Sequence, residues 1–510
     1  MTFPRAARST AVALALALAL VMLASGCVSA PPAPVESDAP TGFEEFFAQD
    51  VAWEGCGSTA ECASIDAPLD WSDASKGSIE LALSRVRASG DSKGSILVNP
   101  GGPGGSGYDF VKNSISYAAS GELLSNFDMV GWDPRGVGQS SRVECLDGDA
   151  KDDLLFGEWQ NAYDSDAWIT ELEAAEQTFV DACAANTGAL LEFVDSASTA
   201  NDMNLMRSLL GEEKLNYLGY SYGTYFGAMF AELFPERVGR LVLDGALDPK
   251  IDAIDWFSVQ MAGFDGAMNA FLADCLDGAS CPFTGSLADA QKQFTRLLDS
   301  MNDLELTSPD GRVLDSATLG FAVASALYSS SNWPSLGQML TDVSNGDTTL
   351  AFSFVDSYYG RSGDGVYANN SFEVYTATLC LDDNFQSDEY TVRDGLNAIA
   401  EAAPLVGGPF AYDDYGHVET ACTLWPYPAK AKPETFDAAG ADPILVIGTT
   451  NDPATPYSWA VSLADQLSSG VLVTYNGEGH TAYGRSNDCI TSAVDEYFIN
   501  GTVPTADPNC

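Results

Sequence analysis

From about residue 78 onward, short apolar runs rich in Val, Ile and Leu alternate with longer stretches of helical periodicity. That alternation is the pattern of an α/β fold, a mainly parallel sheet with helices on both faces. The runs predict strands at residues 79–86, 95–99, 128–132, 215–219, 240–244, 444–448 and 471–475. Between the fifth and sixth of these the rhythm breaks, and residues from about 250 to 430 are richer in helical pattern. Chain that leaves a sheet and returns to it reads as an inserted, largely helical cap domain over the carboxyl edge of the strands, where open α/β folds bind ligands. The expected organisation is a first part of the core at 43–249, a cap at 250–432 and a second part of the core at 433–510. No repeat with a period of 20–50 residues is visible.

The amino terminus follows another pattern. Arg5 and Arg8 precede the unbroken run AVALALALALVMLA, too short to span a bilayer comfortably, so residues 1–26 are expected to be a signal peptide. The run ends in Leu23-Ala24-Ser25-Gly26-Cys27, which resembles a bacterial lipobox with Cys27 as the lipidated first residue of the mature chain. Ala24 stands where that pattern prefers a larger aliphatic residue, and Val28-Ser29-Ala30 would also suit ordinary signal peptidase. Residues 27–42 are rich in Pro and Ala without periodicity, as in a flexible tether. The expected location is the outer face of the cell membrane, reached only through the lipid, or release from it.

Composition sharpens this picture. The chain has 510 residues, 46% of them hydrophobic, enough for a large core and a second domain, which excludes a small disulfide scaffold. It has 11 Cys, an odd number that an exported protein must explain. If Cys27 carries lipid, the other ten can pair between sequence neighbours: Cys56 with Cys62, Cys145 with Cys183, Cys275 with Cys281, Cys380 with Cys422, and Cys489 with Cys510. No C-x-x-C pair exists and only two His are present, so no metal site is expected. The formal charge of −49 becomes −51 without residues 1–26, which hold two Arg and no acid. Nucleic acid is excluded as a partner, and the surplus reads as a solvated acidic surface able to steer cationic substrates.

The candidate chemistry lies in LNYLGYSYGTYFGAMFAELFP, an apolar strand, the turn Gly219-Tyr220-Ser221-Tyr222-Gly223 and a helical run closed by Pro235. Such a nucleophile elbow needs small residues beside the serine, because the turn is strained and the helix packs close to the strand. Serine is a poor nucleophile without a base, and the chain offers only His417 and His480. His480 follows the last predicted strand in Gly477-Glu478-Gly479-His480, in the chain order nucleophile, acid, histidine. His417 lies in the expected cap and reads as a structural or rim residue. Asp452 follows strand 444–448 and precedes His480 by 28 residues, so it is the expected third member, with Asp244 at the end of the preceding strand as the alternative. The oxyanion of acyl transfer needs donors. The backbone N–H of Tyr222 and that of Gly102, in Pro100-Gly101-Gly102-Pro103-Gly104-Gly105-Ser106-Gly107, are the candidates. Residues 102–107 also satisfy G-x-G-x-x-G, but the internal Pro103 and the exported location argue against a dinucleotide. No cofactor is expected.

With these residues in place, the chain resembles the secreted proline iminopeptidase and tripeptidyl aminopeptidase group, actinobacterial lipoprotein members especially. NPGGPGGSG is similar to that group's oxyanion loop, Gly131-Trp132-Asp133-Pro134-Arg135-Gly136-Val137-Gly138 to its Asp-x-Arg-Gly-x-Gly turn, and Asp452-Pro453-Ala454-Thr455-Pro456 and Gly479-His480 to its acid and base loops. Asn99 stands where proline iminopeptidases carry His, as in tripeptidyl members. The resemblance implies an α/β-hydrolase fold and release of short peptides, tripeptides foremost, from the free N-termini of peptide substrates. It further implies that a cap acid binds the substrate ammonium, since a buried cation needs a carboxylate. Glu373, Asp382, Asp383, Asp413, Asp414 and Glu419 are the candidates, with Asp382 favoured. The same catalytic residues would serve an esterase or lipase, and a non-catalytic surface binding protein is the remaining alternative.

Overall fold

Nine strands form one sheet in the order β1-β2-β3-β5-β4-β6-β7-β8-β9. They are β1 (Glu54–Gly55), β2 (Ala60–Pro68), β3 (Ser78–Val86), β4 (Ser95–Asn99), β5 (Asp128–Trp132), β6 (Leu215–Tyr220), β7 (Val238–Asp244), β8 (Ile444–Asn451) and β9 (Gly470–Glu478). The computed structural model describes residues 39–385, 389–408, 411 and 414–510. The expected signal peptide, Cys27, most of the tether and Asp413 lie outside the described residues. Strands β4 to β9 pair in parallel, while β1, β2 and β3 run antiparallel at one edge. All seven strands expected from the sequence are present, and β1 and β2 are additions.

The apolar runs are continuous because both faces of the sheet are buried. Successive side chains point to opposite sides, so Leu97 and Val130 enter the larger core while their neighbours Ile96, Val98 and Met129 enter the smaller one. The smaller core is closed by the helices Gly107–Ala118 and Asp488–Asn500 through Val111, Ile115, Ile490, Val494 and Phe498. The larger core includes the helix Tyr222–Leu233, buried from Tyr222 to Ala231.

Between β7 and β8 the described residues carry helices and no strand of the sheet, from Ala253–Asp277 to Tyr415–Thr423. Two helices of this insertion, Ser371–Asp382 and Tyr415–Thr423, are joined by the disulfide Cys380–Cys422. The other four expected disulfides, 56–62, 145–183, 275–281 and 489–510, are also present.

Candidate active site

Ser221 sits between β6 and the helix Tyr222–Leu233 with φ 53° and ψ −128°. A serine rarely holds this left-handed backbone, and the cost of about 1–3 kcal/mol is met by surrounding bonds. The Ser221 N–H donates to the Asp244 carbonyl at 2.9 Å, and the Ser221 carbonyl accepts from the Thr224 N–H at 2.8 Å. The result is a sharp turn at the carboxyl edge of the sheet, the geometry of a nucleophile elbow.

His480 follows β9, and its Nδ1 lies 2.9 and 3.1 Å from the two carboxyl oxygens of Asp452. Asp452 is buried and is held by more than the imidazole. Its Oδ1 accepts from the backbone N–H groups of Ala454 and Thr455, at 3.0 and 2.8 Å, and its Oδ2 from that of Thr481 at 3.0 Å. The alternative acid, Asp244, points elsewhere: its carboxyl accepts from the N–H groups of Ala482 and Tyr483. Burial pushes Asp244 up to about 6. It fixes the loop that follows His480 without touching the imidazole through any hydrogen bond among the described residues.

Two contacts on His480 were not expected from the sequence. The Thr455 hydroxyl lies 3.2 Å from Nδ1. The His480 N–H donates to the carbonyl of Tyr328, in the inserted segment, at 2.8 Å, and the Tyr328 ring stands edge-on to the imidazole at 5.5 Å. No spacing rule links residue 328 to residue 480, so only the folded chain reveals the pair.

The glycine loop lies against the elbow. Gly101 has φ +95°, and a Cβ there would come within 2.8 Å of the Tyr222 nitrogen, so no side chain fits. The loop is braced by Gly101 N–H donating to Asn99 Oδ1 at 2.8 Å and Gly105 N–H donating to the Gly101 carbonyl at 3.0 Å. Its far end is held by Asp133, which accepts from the Ser106 hydroxyl at 2.5 Å. No hydrogen bond among the described residues uses the N–H of Gly102 or of Tyr222.

Ser221, Tyr222, Gly102 and His480 line one cavity of about 350 Å³. Its walls are largely aromatic, with Trp256, Phe264, Phe321, Tyr328, Tyr358, Phe372 and Tyr375 from the insertion. Asp414 and Arg485 are the charged side chains lining it, with His417 beside Asp414. His417 is buried between Glu176, 2.7 Å from Nδ1, and the Thr376 hydroxyl, 3.0 Å from Nε2, with its ring stacked on Phe372.

Asp382 does not line this cavity. Its buried carboxyl accepts from the Ser196 N–H at 2.9 Å, from the Ser196 hydroxyl and from the Tyr222 hydroxyl at 2.7 Å, so three donors of the protein already engage it. It is not available to a substrate ammonium. Glu373 and Asp383 are likewise taken up, by Lys151 and Lys432. Asp414 is the acid that faces the cavity. It accepts from the Tyr375 hydroxyl at 3.2 Å, no base pairs with it among the described residues, and burial pushes it up to about 7.

The geometry is matched by kinship. Serine protease Hip1 of Mycobacterium tuberculosis is 35% identical over 487 residues, 92% of this chain and 92% of that protein. The chain belongs to the TAP-like family of α/β-hydrolases. Residues 408–510 match the family model described as TAP-like protein. Carboxylesterase B of Mycobacterium tuberculosis is 34% identical over 459 residues, covering 89% and 86% of the two chains. Tripeptidyl aminopeptidase of Streptomyces coelicolor is 28% identical over 475 residues, covering 90% and 86%. As a TAP-like α/β-hydrolase, the protein is a serine hydrolase.

Proposed function

We propose that the enzyme is a serine exopeptidase that releases short peptides, tripeptides foremost, from the free N-termini of peptides. The observation that carries this reading is Asp414, a carboxyl in the same cavity as Ser221 with no basic partner among the described residues. An ester or a blocked peptide has no use for such a group, whereas an α-ammonium leaving water needs a carboxylate partner. In this reading residues 250–432 are the cap and residues 43–249 and 433–510 the core.

The chemistry follows from the contacts. Asp452 holds the His480 Nδ1–H, which leaves Nε2 free to take the Ser221 proton. Ser221 then attacks the scissile carbonyl, and the Gly102 and Tyr222 N–H groups, otherwise unused, receive the oxyanion. His480 returns the proton to the leaving nitrogen, and water admitted afterwards cleaves the acyl-enzyme by the same route. Each step needs only residues of this chain.

Export and a lipid on Cys27 belong to the same proposal. The five disulfides support an oxidising compartment. Among the described residues no helix is long and apolar enough to cross a membrane.

A panel of mono-, di- and tripeptidyl arylamides, free and N-acylated, tests the reading. Hydrolysis of free tripeptidyl substrates is expected, with loss on acylation and loss in Ser221→Ala. A carboxylesterase, the reading that the name of one relative supports, would be indifferent to the block.

A further inference from the structure

The cavity has a second charged wall. Arg485 lines it together with Ser221 and His480, and no carboxylate pairs with it among the described residues. The chain has 72 acids and 23 Lys and Arg, and Arg85, Arg135, Arg312, Arg361 and Arg393 hold carboxylates, whereas Arg485 is exposed at the cavity rim. A guanidinium open to a substrate cavity is a fork of donors suited to a carboxylate.

Arg485 is also held in place. The preceding Gly484 has φ +74° and packs so closely on Ala118 that a Cβ would lie 2.4 Å from its carbonyl oxygen. The Arg485 N–H and the Ser486 hydroxyl both donate to the Ala482 carbonyl, at 3.1 and 2.7 Å. Ala482 and Tyr483 are in turn fixed by Asp244. The side chain therefore springs from a rigid loop five residues beyond His480.

The side of the cavity it serves follows from proton transfer. The imidazole that returns a proton to the leaving nitrogen must face the leaving half of the substrate, and Arg485 continues the His480 loop, beside the end of the helix Gly107–Ala118. Asp414 lines the same cavity from the insertion, bonded to Tyr375 and near His417.

We propose that Arg485 binds a carboxylate on the leaving side of the substrate. Resting on the exopeptidase reading, this makes the cavity bipolar, with an anion for the ammonium and a cation for a carboxylate close behind the scissile bond. The preferred substrates are then short peptides whose terminal carboxylate falls just after the cut, or longer ones with an acidic residue there. On a protein of net charge near −50, which repels anions at long range, a local cation is what such a ligand requires.

The test uses the full mature chain and three tetrapeptides sharing their first three residues: the free acid, the amide, and the amide with Glu in fourth place. A tripeptidyl arylamide, whose leaving group has no carboxylate, is the reference. In the wild type, kcat/KM for the free acid, the Glu amide or both is expected to exceed that for the plain amide about tenfold. Preference for the free acid alone identifies the terminal carboxylate as the ligand, and preference for the Glu amide alone identifies the side chain. Arg485→Gln should level the three and Arg485→Glu invert them, with the arylamide unchanged. Equal rates on all three in the wild type, or a loss in Arg485→Gln that is the same on the arylamide, overturns the proposal. Hydrolysis of none of the four overturns the exopeptidase reading and the proposal with it.

Discussion

The hydroxyl of Tyr222 donates to the carboxyl of Asp382 at 2.7 Å, and this bond joins the insertion to the residue that follows Ser221. Asp382 ends the helix Ser371–Asp382, and its other donors come from Ser196, the first residue of the helix Ser196–Leu209. One carboxyl thus ties the insertion to the helices Ser196–Leu209 and Tyr222–Leu233, the second of which carries the proposed oxyanion donor. Asp382→Ala would leave three buried donors without an acceptor, and a loss of about 2–4 kcal/mol in denaturant unfolding is expected. Tyr222→Phe removes only one of the three and should cost about 1 kcal/mol. Equal losses in the two variants would show that Asp382 acts through Tyr222 alone.

The pH dependence of stability follows from the same buried acids. Burial pushes Asp382 up to about 7 and Asp244 up to about 6. A carboxyl whose folded value is raised keeps its proton in the native state where the unfolded chain has lost it. Stability is therefore full below about pH 4 for these groups and is lost as pH rises toward 7, by about 1.4 kcal/mol for each unit of separation. Thermal unfolding of the wild type should occur at a higher temperature at pH 5 than at pH 7.5, and Asp382→Asn should narrow that gap. A higher unfolding temperature at pH 7.5 would refute the assignment.

For catalysis the sign is reversed, because the proposed ammonium site needs Asp414 ionised. Burial pushes this carboxyl up to about 7, so binding of a free N-terminus should improve as pH rises through that value. Above about pH 8 the α-ammonium begins to deprotonate, which closes the window from the other side. The ratio of kcat/KM for a free peptidyl arylamide to that for an N-blocked ester cancels the contribution of His480. That ratio should rise across pH 7 in the wild type. In Asp414→Asn it should be flat and lower by about 10- to 100-fold, the worth of a charge-assisted bond. An unchanged ratio would remove Asp414 from substrate binding.

Where the chemistry is local, the sequence was explicit. The elbow needs glycines around Ser221, the oxyanion loop needs bare backbone near Gly102, and two histidines left little choice for the base. The strands were legible because parallel strands buried on both faces are apolar throughout. Strand β2 was not, since Ala60–Pro68 mixes Ala, Ser and acids at a half-exposed edge and has no apolar run to announce it. The acids of the insertion were not separable in the sequence for a related reason. Asp382 and Asp414 differ in where folding carries them: one helix end turns into the core at Ser196, while the other faces the cavity beside Tyr375. Tyr328 and Thr455, which touch His480, had no signal of their own because their roles depend on backbone placement.

His417 shows how a histidine without a role in proton transfer can still be needed. Its two ring nitrogens face Glu176 and the Thr376 hydroxyl, and that hydroxyl also donates to the Phe372 carbonyl at 3.2 Å. Glu176 is buried, and its second oxygen has no hydrogen-bond partner among the described residues. His417→Leu would strand that carboxylate, at an expected cost of about 3–5 kcal/mol. The double variant His417→Leu with Glu176→Leu removes both polar partners and should recover most of the loss, because an apolar pair needs no hydration. His417 also stacks on Phe372 in the cavity wall and follows Asp414 by one helical turn. If the pair is structural in this sense, the double variant should regain wild-type unfolding in urea while its KM for free-amino substrates stays raised several-fold. A double variant as unstable as His417→Leu would show that the cost lies in packing against Phe372 and not in the stranded charge.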